Sequence, residues 1–326
     1  MCEISVIIPI YNAEKFIARC LESVLRQSFQ SYEIICVNDC SPDGSREIIL
    51  EYVKKYSQKI RFLENEKNTG PGLCRDWGVK EANGRYVTFI DSDDYIADDF
   101  LKTYYDEMKK EDYDIVIGGY TKDIAGKYKK YLVNDCIWSV FSYTIGCAKL
   151  YNKDFLINNN IDFSEIRCGE DILFSMSVFF NDAKYSVIRY AGYYYYFNEK
   201  STTSTLSYDK KLECDISKIF DMFLMKYDYE SAGQEKKYLI QYNYIANMIN
   251  ALIVYGHGCK PDIMDKKYKF FIDDLKNKFP DYKENKFLKF GKAKKQSLKI
   301  RLAVETMMFF NKIGIDKFVY RIISLL

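Results

Sequence analysis

The chain is poor in the residues that metalloproteins, redox proteins and disulfide-framed proteins depend on. It has one histidine, two tryptophans and five prolines in 326 residues. A lone His257 cannot furnish a histidine-ligated metal centre. The ten cysteines (Cys2, Cys20, Cys36, Cys40, Cys74, Cys136, Cys147, Cys168, Cys214, Cys259) include no Cys-x-x-Cys pair. Several, such as Cys20 and Cys36, fall on hydrophobic faces, so they read as small apolar residues in a reducing compartment rather than a zinc site or disulfide frame. No apolar run approaches the roughly 20 residues a membrane span needs. The N-terminus has neither the basic region nor the cleavage site of a secretory leader. A cytoplasmic protein is expected. The net charge of +2 excludes nucleic acid as a partner held by bulk attraction. Neither G-x-G-x-x-G nor G-x-x-x-x-G-K-[ST] occurs, which removes the dinucleotide-binding and P-loop readings.

What is present is a folded composition, 48% hydrophobic and 29% charged, with thirty tyrosines. Strands are expected at Ile4 to Ile10, Glu33 to Val37, Ile60 to Leu63, Tyr86 to Ile90 and Asp114 to Gly118. Helices are expected between them: after Asn12, which could cap the first, then through Ile48 to Val53, from Gly72 past Arg75, and from about Asp98 to Lys110. Strand and helix alternating at this spacing means an α/β fold, a mainly parallel sheet with helices on both faces. The fourth strand organises the rest. Asn83-Gly84 announces it, Tyr86 to Ile90 is β-branched and aromatic, and Asp91-Ser92-Asp93-Asp94 stops it. Ligands of open α/β sheets bind at the carboxyl ends of the strands. Carboxylates set this close repel one another unless a cation sits between them, and Mg²⁺ or Mn²⁺ carrying phosphates meets that need with oxygen ligands.

Four blocks then line up. They are Ser5-Val-Ile-Ile-Pro9-Ile-Tyr11-Asn12, Val37-Asn38-Asp39-Cys-Ser41-Pro-Asp43-Gly44-Ser45, Asn68-Thr-Gly70 with Arg75, and Phe89-Ile-Asp91-Ser-Asp93-Asp94. In this order they resemble the GT-A glycosyltransferases of family 2, over about residues 3–205. The resemblance implies a GT-A fold and an inverting, metal-dependent glycosyltransferase. Its sugar donor would be a nucleotide, most naturally UDP, and its acceptor a hydroxyl of a glycan or lipid-linked glycan. By the same resemblance Pro9, Tyr11, Asp39, Asn68, Arg75 and Asp91 would hold the nucleotide. Asp93, with Asp91, would hold Mn²⁺ or Mg²⁺. The Glu170-Asp171 pair would supply the catalytic base, with Asp171 the candidate and Glu170 orienting it. The chain departs from the family pattern at Asn38, where two acids are usual, and at Asp76, where Asn is usual. Acids at a helix start are also commonplace for dipole reasons.

From Tyr120 to Tyr143 the sequence reads as irregular, followed by a strand at Lys149-Leu-Tyr151, a helix behind Glu170 and a strand at Tyr193 to Phe197. Asn198 to Ser207, with Lys200 and an unbroken Ser/Thr run at 201–205, reads as a polar loop able to close over a diphosphate. A soft boundary is expected there, giving a catalytic domain over 1–205 and a helical region over 206–326. Within the latter, 283–301 holds eight basic residues against Glu284 alone, a net of +7. Phe318, Val319, Ile322, Ile323, Leu325 and Leu326 form an apolar face with Lys317 and Arg321 off it. An anionic membrane surface or a second subunit of a homo-oligomer would suit that combination. Two rival functions are weighed. A haloacid-dehalogenase-type phosphotransferase wants its Asp-x-Asp after the first strand, not the fourth. A non-catalytic nucleotide-sugar or glycan-binding module would not need both acid pairs.

Overall fold

The computed structural model describes residues 2–141, 143, 146–163, 165–166, 169–198 and 212–325. The chain divides into two compact units, 1–199 and 200–326. Cys168, Leu206, Leu326 and the polar loop from residue 199 onward lie outside the described residues.

The first unit is built on β1 (Ile4–Ile10), whose seven residues are all buried. A strand this apolar is stable only with both faces covered, and its two neighbours are parallel to it. β2 (Tyr32–Asn38) lies on one side and β4 (Tyr86–Phe89) on the other. Between these come α1 (Ile17–Leu25), α2 (Ser45–Lys55), β3 (Ile60–Glu64) and α3 (Pro71–Glu81). After β4 the chain continues through β5 (Tyr95–Ile96), α4 (Phe100–Glu111), β6 (Ile115–Ile117), β7 (Tyr120–Ile124), β8 (Lys127–Tyr131) and α5 (Trp138–Phe141). The unit closes with β9 (Lys149–Asn152), α6 (Lys153–Asn158), α7 (Glu170–Phe180), β10 (Tyr185–Val187) and β11 (Tyr193–Tyr196).

Seven strands form the main sheet in the order β10-β6-β9-β4-β1-β2-β3, with β9 antiparallel to both neighbours. A second sheet has the order β5-β11-β7-β8. Residues 120–131, expected to be irregular, are thus a regular antiparallel hairpin with Tyr120 opposite Tyr131 and Ile124 opposite Lys127. The strand went unread because β8 is lysine and tyrosine with no buried face, so no apolar alternation marks it. A second correction concerns Asn12. It sits at φ 54° and caps nothing; α1 begins at Ile17, after Phe16, with no side-chain cap. The chain instead turns at Asn12, and the Asn12 amide donates to Ser41 Oγ at 3.3 Å.

Close packing places α3. A Cβ on Gly78 would lie 2.4 Å from Ile7 Cγ2, so only glycine lets this helix settle on β1. That brings the first turn of α3, with Arg75, over the carboxyl ends of the central strands.

The second unit is helical: α8 (Leu212–Lys226), α9 (Gln234–Val254), α10 (Pro261–Lys278), α11 (Leu298–Ile313) and α12 (Asp316–Leu325). Phe220, Tyr244 and Phe279 meet edge to face in its core, and Lys267 and Glu213 form a buried ion pair at 2.8 Å. No helix among the described residues is long and apolar enough to cross a membrane. α12 is turned against its own pattern. Asp316, Tyr320 and Ser324 are buried, while Phe318 (65%) and Leu325 (71%) are exposed. Arg321 and Lys317, which lie off the apolar face in the sequence pattern, are both tied to Asp265 on α10, at 2.5 and 3.3 Å. The +7 stretch is not one helix face; it runs through two short 3₁₀ turns, at Tyr282–Glu284 and Lys286–Leu288, into α11.

Candidate active site

Two clusters of the residues singled out from sequence stand at the carboxyl ends of the strands, joined by the first turn of α3. The first surrounds Asp39, just beyond β2, whose amide donates to Ile10 O at 2.8 Å and so ties it to the end of β1. Its Oδ1 accepts from Asn65 Nδ2 (2.8 Å), Thr69 N (2.8 Å) and Thr69 Oγ1 (3.0 Å), and its Oδ2 from Gly70 N (2.7 Å). Asp39 is 2% exposed and organises the 65–70 turn, a role the sequence reading did not assign to it. Asn68 is half-buried in that turn. Pro9 is buried within β1, whereas Tyr11, just past it, is 51% exposed and faces out as a core residue would not. Asn38 donates to Glu64 Oε1 at 2.9 Å, so its amide is used within the sheet's edge.

The second cluster centres on Arg75, five residues after Gly70. Its guanidinium is nearly fully buried and forks between two segments. Nη2 donates to Asp91 Oδ1 at 2.7 Å, and Nη1 to Glu170 Oε1 at 3.0 Å with Asp171 Oδ1 at 3.8 Å. Arg75 therefore brings the acids after β4 and those at the start of α7 into one ion network. Burying a cation is tolerable here because the carboxylates compensate it; with Asp91, Asp171 and Glu170 around it, its proton is held far more tightly than usual. Asp76, the departure from the family pattern, accepts from Phe163 N at 3.0 Å. That fixes Phe163, whose ring lies 5.2 Å from the Arg75 guanidinium.

The acid turn is held from behind by a residue the sequence reading missed. Tyr193 on β11 donates to Asp94 Oδ2 at 2.5 Å and accepts from Asp91 N at 3.2 Å. Tyr196 N donates to Asp94 Oδ1 at 2.8 Å. Asp94 is buried, so it is the structural acid of the three. Its proton affinity is raised well above the usual carboxylate range by burial, then by Asp91 and Asp93. Arg19 on α1 was also missed; Nη2 donates to Asp93 O at 2.7 Å, and the guanidinium lies over the Tyr95 and Tyr196 rings at 4.7 and 4.2 Å. Nothing in a tyrosine-rich sequence sets Tyr193 apart from its neighbours, since its partner is 99 residues away.

Whether a divalent cation fits here turns on the donor set. Among the described residues no three His, Cys, Asp or Glu side chains converge on one point. The protein alone therefore does not build a closed cage. Asp91 Oδ2 and Asp93 Oδ1 hold no hydrogen bond among the described residues, and burial followed by the Asp91 charge raises the Asp93 pKa. Two neighbouring carboxylates, each with an oxygen left to give, suit Mg²⁺ or Mn²⁺ when phosphate oxygens supply the other ligands. The residues fit the ion.

At the start of α7, Glu170 is buried and engaged by Arg75, while Asp171 is the freer acid, with its side chain 28% exposed against 10% for Glu170. Among the described residues the buried Asp171 Oδ1 has no hydrogen-bond partner. Burial first, then Glu170, pushes its pKa up to about 7, with Arg75 opposing. Gly146 faces it. A Cβ on Gly146 would lie 3.3 Å from Asp171 Oδ1. β9 holds Gly146 and Tyr143: Tyr151 OH donates to Gly146 O at 3.1 Å and Lys149 Nζ to Tyr143 O at 2.6 Å. Lys149 is almost fully buried, and burial pulls its pKa down to about 7.

A nucleotide-type α/β sheet whose strand ends carry an Asp-x-Asp turn, joined through the Arg75 guanidinium to an acid pair on a later helix, matches the GT-A class of glycosyltransferase fold. Residues 5–163 match the profile of glycosyl transferase family 2. The chain is 36% identical over 203 residues to the poly(ribitol-phosphate) beta-glucosyltransferase of Bacillus spizizenii, a match covering 59% of this chain and 32% of that protein. It is 30% identical over 216 residues to glycosyltransferase GlyG of Streptococcus pneumoniae, covering 58% of this chain and 71% of that one. The solved structure of S. aureus TarS 1–349 superposes at a TM-score of 0.69 with 23% identity, covering 99% of this chain and 90% of that chain. TarS 1–349 is also solved in complex with UDP-GlcNAc, at a TM-score of 0.57. The chain belongs to glycosyl transferase family 2. Its match spans about a third of the length of the B. spizizenii relative.

Proposed function

We propose that this protein transfers a sugar, with inversion at the anomeric carbon, from a UDP-linked donor to a hydroxyl of a cell-surface polymer. The polymer would be a glycan or a phosphodiester-linked polyol, as in the relative named for poly(ribitol-phosphate). The observation that carries the reading is the placement of Asp171. It is an acid at a helix start, with its side chain 28% exposed, tied through Arg75 to the acids that end β4.

Inversion needs one base to take the acceptor hydroxyl's proton as the oxygen attacks from the face opposite the leaving diphosphate. A carboxylate with a pKa near 7 is matched to that task at neutral pH. Asp171 fills the role, and Glu170, locked by Arg75, fixes the start of α7 on which Asp171 stands. Tyr11, exposed at the end of β1, and the Asp39-ordered turn carrying Asn68 form the side that takes the base and ribose. Asp93, with Asp91 beside it, would hold Mn²⁺ or Mg²⁺. When bound, the cation neutralises charge on the departing diphosphate. Tyr193 keeps the acid turn rigid by bonding both Asp94 and the Asp91 amide.

The test is a donor screen on the full chain, following UDP release and the product's anomeric signal by NMR. Release of UDP with opposite anomeric configuration in product and donor supports the reading. Tight UDP binding with no turnover of any UDP-sugar, with acceptor or with water, would favour the non-catalytic nucleotide-sugar-binding module instead.

For the second unit the exposed apolar residues of α11 and α12, Phe309, Ile313, Phe318, Ile322 and Leu325 among them, follow a strongly basic stretch. Peripheral docking on an anionic membrane surface accounts for that pairing, with a second copy of the chain as the competing occupant.

A further inference from the structure

The β7–β8 hairpin carries an unbalanced charge that the transfer chemistry above does not use. Its twelve residues, Tyr120 to Tyr131, hold Lys122, Lys127, Lys129 and Lys130 against Asp123 alone, in a chain with 48 basic and 46 acidic residues. Asp123 is occupied elsewhere, accepting from Tyr95 OH at 2.9 Å and from Gly126 N at 2.8 Å. Among the described residues no carboxylate pairs with any of the four lysines.

Register sorts these residues by face. Lys122 is opposite Lys129, Ile124 opposite Lys127, and Tyr120 opposite Tyr131. Strand alternation puts all six on one side, with Asp123 and Lys130 on the other. On the adjoining strand Tyr195 is in register with Lys122 and shares that side. Tyr120 and Tyr131 stack with centroids 4.9 Å apart at 12°, Tyr195 meets Tyr120 edge-on at 6.3 Å, and Lys122 Nζ lies 4.7 Å from the Phe197 ring. Like charges directly opposite across two strands destabilise the pairing unless an anion lies between them. The hairpin accepts that cost at Lys122 and Lys129 and sets exposed Ile124 and half-buried Tyr131 and Tyr195 beside it.

This face is continuous with the active site. Tyr196 N and Asn198 Nδ2, on either side of Phe197, bond Asp94 and Asp93 at 2.8 and 3.4 Å. Asp94, Asp93 and Asp91 add to burial in pushing the Tyr195 hydroxyl up to about 12, as groups this near must. On its other edge Tyr120 stacks on Tyr143 at 6.3 Å, and the Tyr143 carbonyl is held by Lys149, close in sequence to the Gly146 that faces Asp171.

We propose that this hairpin face binds the acceptor, and binds it as a polyanion: a phosphodiester-linked polyol or glycan whose phosphates meet Lys122, Lys127 and Lys129 while its carbon chain lies on Tyr120, Tyr131 and Tyr195. The proposal rests on the glycosyl-transfer reading and names the chemistry of its acceptor. Lys127 near the hairpin tip and the opposed Lys122 and Lys129 form a track of positive charge leading to the acids, where a free hydroxyl of the chain would reach Asp171.

The test uses the full chain, the double variant Lys127→Glu/Lys129→Glu, and Lys130→Glu, which makes a like charge change on the opposite face. Binding of a poly(ribitol phosphate) oligomer and of a neutral glucan of equal length is measured at low and high salt. Acceptor-free UDP release is followed on the same proteins. The double variant should bind the polyanion on the order of tenfold more weakly, with Lys130→Glu within about threefold of wild type and UDP release unchanged. Wild-type affinity should fall as salt rises. Wild-type affinity in the double variant, an equal loss in Lys130→Glu, or equal wild-type affinity for the neutral glucan overturns the proposal. Donor turnover without preference for the polyanion overturns it and spares the transfer reading. No donor turnover at all overturns the transfer reading, and the acceptor role with it.

Discussion

Asp171→Asn keeps the shape of the side chain and removes its basicity, and the structure sets what that does to rate and stability together. With a pKa of about 7, Asp171 is about one-tenth ionised at pH 6 and about nine-tenths at pH 8. If it is the base, wild-type turnover rises roughly ninefold across that window and then levels. The variant loses a general base, typically worth about 10²–10⁴ in rate, and its residual activity has no such rise. Stability moves the other way. The carboxyl's pKa is raised in the folded chain above its unfolded value, so the folded state holds the proton more tightly. Stability is therefore lost as pH rises from about 4 to about 7, and it stays lost above that. A shift of this size corresponds to about 4 kcal/mol at most, and the solvent-exposed part of the carboxylate roughly halves it. Asp171→Asn should thus melt on the order of 4–8 °C above wild type at pH 8, and with it at pH 4. Stopped UDP-release assays and thermal melts over pH 4 to 9 read both. A variant that keeps the wild-type pH–rate rise, or melts lower at pH 8, refutes the argument.

Two further outcomes follow from the same geometry. Gly146→Ala places a methyl about 3.3 Å from Asp171 Oδ1; it should raise the acceptor KM and slow transfer several-fold, while acceptor-free UDP release stays within about twofold, and an equal effect on both would show that Gly146 does not border the acceptor. In the second unit, Phe318→Asp/Leu325→Asp changes two exposed residues. It should abolish low-salt co-sedimentation with anionic vesicles. Equal sedimentation of variant and wild type removes the membrane proposal, and a concentration-dependent dimer mass lost in the variant assigns the face to a second copy.

What could be read from the sequence follows what local chemistry announces. β1, β2 and β4 are apolar runs bounded by turn residues, and the acids after β4 break such a run too abruptly to be missed. The start of α7 was legible as Glu170-Asp171 ahead of a hydrophobic helix. Contacts made across long stretches of chain were not legible: the fork of Arg75 between Asp91 and Glu170, Tyr193 behind the acid turn, and Asp76 on Phe163 depend on which strand ends meet. The β7–β8 hairpin was invisible because neither face of β8 is buried. The orientation of α12 was misleading for the opposite reason. Its apolar pattern is clear, but Asp316 accepts from Tyr268 and Asn311, and this, with buried Tyr320, turns the polar stripe inward.

Sugar transfer from a nucleotide donor is proposed to depend on a cation held by Asp93 and Asp91. The most direct measurement is UDP release from a UDP-sugar by wild type and Asp93→Ala, with Mn²⁺, after EDTA, and after Mn²⁺ is restored. Turnover is expected only in wild type with the ion, with full recovery on restoring it and none in Asp93→Ala under any condition. Turnover that survives EDTA, or an Asp93→Ala variant as active as wild type, contradicts it.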